Sequence, residues 1–297
     1  MKRIIFGTMA CLLTVPPASP AVPENPLPAV FPNHVFMVLD SPTYRNIESS
    51  VFLKEEFAVF EKRTTIRRDS RYTGIYFYGD TTYFELFDAA AEPIFSEGFC
   101  GLALGVDGPG ELEQLRTALA GEVGGRINRV TRGLDDRQLP WFRMMNGPPR
   151  LTIGPFIVWV MEYEEGFLRH WHADRPPAAP GVDRKSILRR YAHVLHTDPE
   201  SRLFRDLAGI TVAVDGKIRD DILRYCVALG FQAREENGML RLENNSFTIR
   251  LRPASDKVLG ILELKLRVRR RPDRKEFRFG PGCVLKFHGT ERATWTF

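Results

Sequence analysis

Phe36-Met-Val-Leu-Asp40, followed at once by Ser41-Pro42, is the stretch that decides the fold. Four apolar residues make a short buried strand, and the aspartate that ends it can accept hydrogen bonds from the free amides of a following helix turn. Proline suits that turn, because no helical hydrogen bond is lost there. The same shape returns twice. Gly101-Leu-Ala-Leu-Gly-Val-Asp107 precedes Gly108-Pro109, and Ile210-Thr-Val-Ala-Val-Asp215 precedes Gly216. Each predicts a strand feeding a helix. Leu112, Leu115 and Leu119 fall on one helical face, as do Ile218, Ile222, Tyr225 and Leu229, with Gly230 as a left-handed stop.

Strands follow each helix. The first set is expected at residues 57–68, 74–78 and 82–88, the second near 125–132, 141–145 and 156–163. The third is expected at 232–235, 239–242, 247–252 and 261–269. Each unit reads β-α-β-β-β over about 60 residues, and only the order of elements repeats. The predicted class is α+β: curled mixed sheets, with two paired N-terminal units over 34–171 and a third unit over 208–297.

Outward from these units, the N-terminus has the shape of an export signal. Lys2 and Arg3 precede an apolar run from Ile4 to Val15, too short to span a bilayer, and Ser19 and Ala21 suit cleavage after Ala21. The expected location is periplasmic or secreted, with no membrane association after signal removal. Residues 22–33 carry four prolines and read as an extended leader. Residues 172–207 read as a linker and helices, with Ile187, Leu188, Tyr191 and Leu195 as one apolar side. Cys100, Cys226 and Cys283 remain in the mature chain, an odd number that allows at most one internal disulfide; Cys226 reads as a small buried hydrophobe.

The 297 residues are 43% apolar and 27% charged, ordinary for a globular chain, so disorder and a multi-span membrane protein are excluded. The balance of 42 basic and 37 acidic residues does not suit a dedicated nucleic-acid binder. Charge is uneven, however. Residues 22–183 are net acidic and 184–297 net basic, so either the halves attract each other or the basic half meets an anionic partner.

Paired β-α-β-β-β units resemble the vicinal-oxygen-chelate (VOC) superfamily, which includes glyoxalase I, extradiol dioxygenases and bleomycin-resistance proteins. The stretch from Phe60 through Thr73-Gly-Ile-Tyr-Phe-Tyr-Gly to Phe84-Glu-Leu-Phe-Asp88, with Trp159-Val-Met-Glu-Tyr163, is similar to an uncharacterised glyoxalase-like bacterial family of that superfamily. The resemblance implies cups formed by paired units and a small-molecule ligand. In metal-using members the ligands sit on the first and last strands of the units. That implies a divalent metal (iron, manganese or zinc) at His34, Glu85 and Glu162. The fifth strand departs from the pattern, with Cys100-Gly101 where a histidine is usual. The spacing from His34 to Asp40 is one residue short.

Strand alternation offers a separate check. His34, Phe36 and Val38 share a face, as do Tyr83, Glu85 and Phe87, and as do Val158, Val160 and Glu162. The expectation is that all three faces meet on one cup floor. Tyr76, Tyr78, Tyr83 and Phe87 are the candidate ligand-binding residues, offering apolar faces and hydroxyl handles. No catalytic residue is assigned. Alternatives are a non-catalytic ligand-binding or sequestration protein, or a protein-interaction module. The second rests on the C-terminal unit, where Leu262, Leu264, Leu266 and Val268 alternate with Glu263, Lys265, Arg267 and Arg269 to give one basic face. The unpaired third unit leaves a homodimer open.

Overall fold

The computed structural model describes residues 26–297 apart from 69, 92–95, 121–122, 124, 135, 172–181, 245 and 256–258. The expected signal and the linker at 172–181 lie outside the described residues.

The first unit comprises β1 (Phe31–Leu39), α1 (Ser41–Ser49), β2 (Val59–Ile66), β3 (Arg71–Tyr78) and β4 (Tyr83–Asp88), with a π-helical turn at Leu53–Phe57. The second comprises β5 (Cys100–Gly105), α2 (Glu111–Ala118), β6 (Ile127–Leu134), β7 (Arg137–Asn146), the short α3 (Arg150–Ile153) and β8 (Phe156–Tyr163). Together they form one sheet in the order β2-β3-β4-β1-β5-β8-β7-β6. Within each unit the first and last strands pair in parallel, and β1 and β5 join the units antiparallel.

Two helices, α4 (Glu165–His170) and α5 (Arg184–Val194), bridge to the second half. There follow β9 (Phe204–Val214), α6 (Gly216–Ala228), β10 (Gln232–Glu236), β11 (Met239–Glu243), β12 (Thr248–Pro253) and β13 (Gly260–Val268). The chain ends with β14 (Glu276–Arg278), β15 (Val284–His288) and β16 (Arg292–Thr296). The second sheet has the order β10-β11-β12-β9-β13-β16-β15-β14, the same permutation as the first. The molecule is α+β, built from repeated units in two curled mixed sheets, a VOC-like architecture. Residues 208–297 are two units rather than the expected one: β13, expected as a strand of the third unit, opens a fourth (β13–β16, with no helix among the described residues), so the third unit, β9–β12, finds its partner within the chain.

Local chemistry sets the boundaries. Asp40 accepts from the Thr43 amide, and Asp215 from the Lys217 and Ile218 amides, as expected of the strand-ending aspartates. Gly230 has φ +87°, the left-handed stop. Asp107 departs from the pattern. Its carboxylate accepts from the Arg184 backbone amide and from Nε and Nη2 of the Arg184 guanidinium, at 2.9–3.0 Å, anchoring α5 instead of capping α2. The leader also ends earlier than expected: β1 opens at Phe31, and Pro32 is tolerated beside a bulge in the β1–β5 ladder.

Alternation divides each sheet into two faces. Met37, Phe77, Phe84 and Val160 of the first sheet join Ile210, Leu264 and Trp295 of the second in one buried core. Phe57 lies 5.7 Å from Phe204 and Phe84 lies 5.6 Å from Trp295, ring centre to ring centre. Cys226 belongs to this core as a buried free thiol. Asp206 of β9 fastens the halves. Its Oδ1 accepts from the amides and hydroxyls of Thr81 and Thr82, at 2.8–3.2 Å. Arg269 pairs with Asp80 nearby. The charge asymmetry is therefore used in part between the halves, although Arg150–Asp221 pairs with the opposite polarity.

Candidate functional site: the N-terminal cup

The other face of the first sheet forms a second buried cluster that contains Phe36, Tyr76, Tyr83, Phe87, Trp159 and Met161. Glycines let its rings lie flat on the sheet. A Cβ at Gly74 would meet the Phe87 ring at 2.5 Å, and one at Gly101 would meet the Phe36 ring at 2.5 Å. Ile187, Leu188 and Tyr191 of α5 pack into the same cluster. The apolar side of this helix is thus a cover for one end of the cup. Tyr72, Phe99, Met144 and Ile157, each half-buried, line the other end.

His34 and Glu85 meet on this floor as expected. Both are buried, with His34 Nε2 3.8 Å from Glu85 Oε1. The His34 ring stacks on Tyr83 at 4.5 Å and meets Trp159 edge-on at 5.4 Å. Burial lowers His34 to about 3 and raises Glu85 to about 7, the latter against the opposing pull of Arg63 and Tyr83. The imidazole is therefore neutral at pH 7, and the His34–Glu85 contact is not a charge pair. Nδ1 of His34 lies 2.9 Å from Asn33 Oδ1; with Nδ1–H donating to it, Nε2 is left as an acceptor.

Glu162 does not join them. It sits on the helix-facing side of β8, in step with Val158 and Val160, which belong to the inter-sheet core. Its Oε1 accepts from the Gly110 amide (3.0 Å), its Oε2 from the Leu112 amide (2.9 Å), and Arg143 closes the carboxylate. It supplies the first turn of α2 with the acceptor that Asp107 does not provide. The expectation of three converging faces fails here because Trp159, Met161 and Tyr163 take the cup side of β8.

The fifth strand adds no donor. Gly101 and Ala103 face the cup, while Cys100 points into the inter-sheet core with Sγ 3.7 Å from the Pro155 carbonyl oxygen. Burial pushes its thiol up to about 12, the opposite of what a ligating thiolate needs. Two donors from one unit and none from the other do not fit the three-ligand centre. Among the described residues no group of three His, Cys, Asp or Glu side chains is placed to hold a metal ion.

The expected aromatic residues are all buried and divide by their neighbours. Tyr76, Tyr83 and Phe87 line the cup with Glu85. Tyr78 is closed off: its ring stacks under Tyr191 of α5 at 4.6 Å, and its hydroxyl donates to Glu61 at 2.6 Å. Two groups that sequence reasoning missed complete the site. The Arg63 guanidinium lies over the Tyr76 ring at 4.0 Å and donates to Glu61 and Tyr78. The Trp159 Nε1–H is buried with no hydrogen-bond partner, and so is the Tyr76 hydroxyl, with Thr65 beside it but outside hydrogen-bond geometry. Trp159 alternates with Glu162 along β8, so placing one on the cup floor would have removed the other.

Paired β-α-β-β-β units around an aromatic cup define a VOC-like protein. The chain belongs to the family of unknown function DUF5829, whose model matches residues 32–297. No curated protein matches it in sequence. Solved structures that match include a hypothetical protein from Staphylococcus aureus, at 12% identity and TM-score 0.46, over 78% of this chain and 88% of that one. A xylose isomerase-like TIM barrel/4-hydroxyphenylpyruvate dioxygenase fusion protein matches at 15% identity and TM-score 0.43, over 81% of this chain and 35% of that one. A mutant of 4-hydroxymandelate synthase from Streptomyces coelicolor matches at 14% identity and TM-score 0.40, over 79% and 65%. The chain thus spans about a third of the fusion protein and just under two thirds of the synthase.

Proposed function

We propose that the N-terminal cup binds an uncharged, hydroxyl-bearing small organic molecule, apolar over most of its surface. The observation that carries this reading is the pair of buried, unpartnered donors, Tyr76 Oη and Trp159 Nε1, on the floor that also holds His34 and Glu85. A buried polar group without a partner costs about 1–3 kcal/mol, and such a cost is expected where a ligand later supplies the bond. The ligand class follows from the site's charge. His34 is neutral and offers an acceptor nitrogen, Tyr76 and Trp159 offer donors, and Arg63 is already satisfied by Glu61 and Tyr78. A hydroxyl group can both donate and accept, so it can satisfy both kinds of partner. A carboxylate would meet the Glu85 carboxyl, and Arg63, the cation that acts on Glu85, is already engaged by Glu61.

The test is thermal shift with a panel of neutral phenols and alcohols, each beside a carboxylate of the same size. Neutral members should raise the melting temperature saturably, and Tyr76→Phe combined with Trp159→Phe should abolish the shift. Tighter binding of the carboxylates, or unchanged binding in the double variant, would refute the reading. Export is proposed as well, on the residue pattern of 1–21. The mass of the mature protein tests it, with Val22 expected as the first residue.

A further inference from the structure

The second sheet turns its apolar side to the shared core and, among the described residues, leaves its other side without a helix over it. That open face carries Arg241, Arg250, Arg252, Lys265, Arg267 and Arg292, with Glu243 and Glu263 among them. Arrangement matters here as well as composition. Arg241 stands directly opposite Arg250 across β11–β12, and Arg267 opposite Arg292 across β13–β16. Like charges opposite each other on one face destabilise a sheet. Lys265 and Lys286 flank Thr294 in the next row. Arg241 has Glu236 and Glu243 as partners, and Arg267 donates to the carbonyls of Leu207 and Ser246. Arg250, Arg252, Lys265 and Arg292 have no ion-pair or hydrogen-bond partner among the described residues.

We infer that this face docks an acidic polypeptide segment. Charge complementarity sets the sign of the partner, since free guanidinium and ammonium groups standing in rows suit carboxylates in series. The rest of the face selects the class. Its other positions are threonines (Thr211, Thr248, Thr294, Thr296), a few aliphatic residues and one ring, the His288 imidazole beside Arg292, with no Phe, Tyr or Trp among the described residues. Nucleobases bind single-strand surfaces by stacking on successive aromatic rings, and this face offers one imidazole, His288, held by a hydrogen-bond contact with Thr294 at 2.9 Å, and no series of rings among the described residues. A curled sheet meets a planar lipid surface only at its rim. The Thr248 hydroxyl has no hydrogen-bond partner among the described residues and can donate, while Thr211 and Thr296, which donate to Glu263 and to the Gly282 and Val284 carbonyls, keep lone pairs that accept from a peptide backbone.

The test uses the full mature chain and a fluorescently labelled deca-glutamate peptide, followed by anisotropy at rising salt. An oligonucleotide of equal charge and anionic phospholipid vesicles are the competitors, and sedimentation reports self-association. The expected result is saturable peptide binding that weakens with salt and falls at least tenfold in Arg250→Glu/Arg292→Glu. The same charge reversal at Arg116, on the exposed side of α2, should change it less than twofold. Arg250→Thr, which removes one like-charge pair, should weaken binding while leaving the melting temperature equal or higher, so that misfolding cannot explain the loss. The proposal is overturned if the charge-reversed variant binds equally, if the oligonucleotide or the vesicles bind more tightly than the peptide, or if only self-association responds.

Discussion

At the residue scale, Glu85 carries the clearest consequence. Its folded value of about 7 lies above the unfolded 4.5, so the folded state holds the extra proton between those limits. Stability from this group is fully present below pH 4.5 and is lost as pH rises through 7. His34 has the opposite sign: lowered from 6.5 to about 3, it makes stability rise with pH across that interval. Glu85→Gln should therefore raise stability at pH 8 by about 1–3 kcal/mol and flatten the decline between pH 5 and 7, as read from urea unfolding at several pH values. Glu162→Gln belongs to a different mechanism. It weakens the carboxylate that holds the Gly110 and Leu112 amides and faces Arg143. Unfolding experiments should show a loss of about 1–3 kcal/mol, with ligand binding in the cup unchanged.

At the scale of elements, the strand-to-helix aspartates make β1–α1 and β9–α6 legible from sequence, because an Asp cap is a local device. The same device misleads at Asp107, whose partner Arg184 lies 77 residues on. Alternation correctly places Glu85 beside His34. It cannot choose between the faces of β8, whose residues are nearly all buried. With apolar residues on both sides, Trp159 and Glu162 are equally good candidates for the floor. The apolar side of α5 is visible in sequence, but its destination over the cup is set by tertiary contacts. Strands β14–β16 are short and interrupted by Pro281, Gly280, Gly282 and Gly289, so no run is long enough to signal them. Two element-level predictions follow from the cup. Gly101→Ala puts a methyl against the Phe36 ring and Ile157, and should cost about 1–3 kcal/mol in calorimetric or urea unfolding. Asp107→Asn loosens the anchor of α5, and should speed both association and release of a bound phenol in stopped-flow mixing, with the dissociation constant moving less than either rate.

At the scale of the molecule, two sheets of one permutation share a single core, and this makes the halves interdependent. Phe57 of the π-helical turn, with Phe77 and Phe84 of the first sheet, packs against Phe204 and Trp295 of the second. Asp206 binds the turn between β3 and β4 through four donors. The two sheets should unfold in one transition, with far-ultraviolet circular dichroism and Trp fluorescence coinciding. Asp206→Ala should lower that stability by about 2–4 kcal/mol, since it leaves the amides and hydroxyls of buried Thr82 and half-buried Thr81 to find other partners.

The central claim is that the cup is kept under-bonded for a ligand, and the stability of Tyr76→Phe without any ligand tests it most directly. Removing a buried hydroxyl that has no partner should leave the packing intact and raise stability by about 1 kcal/mol, measured by urea unfolding at pH 7. A loss of 1 kcal/mol or more would show that the Tyr76 hydroxyl is bonded within the fold, and would contradict a floor held ready for a ligand.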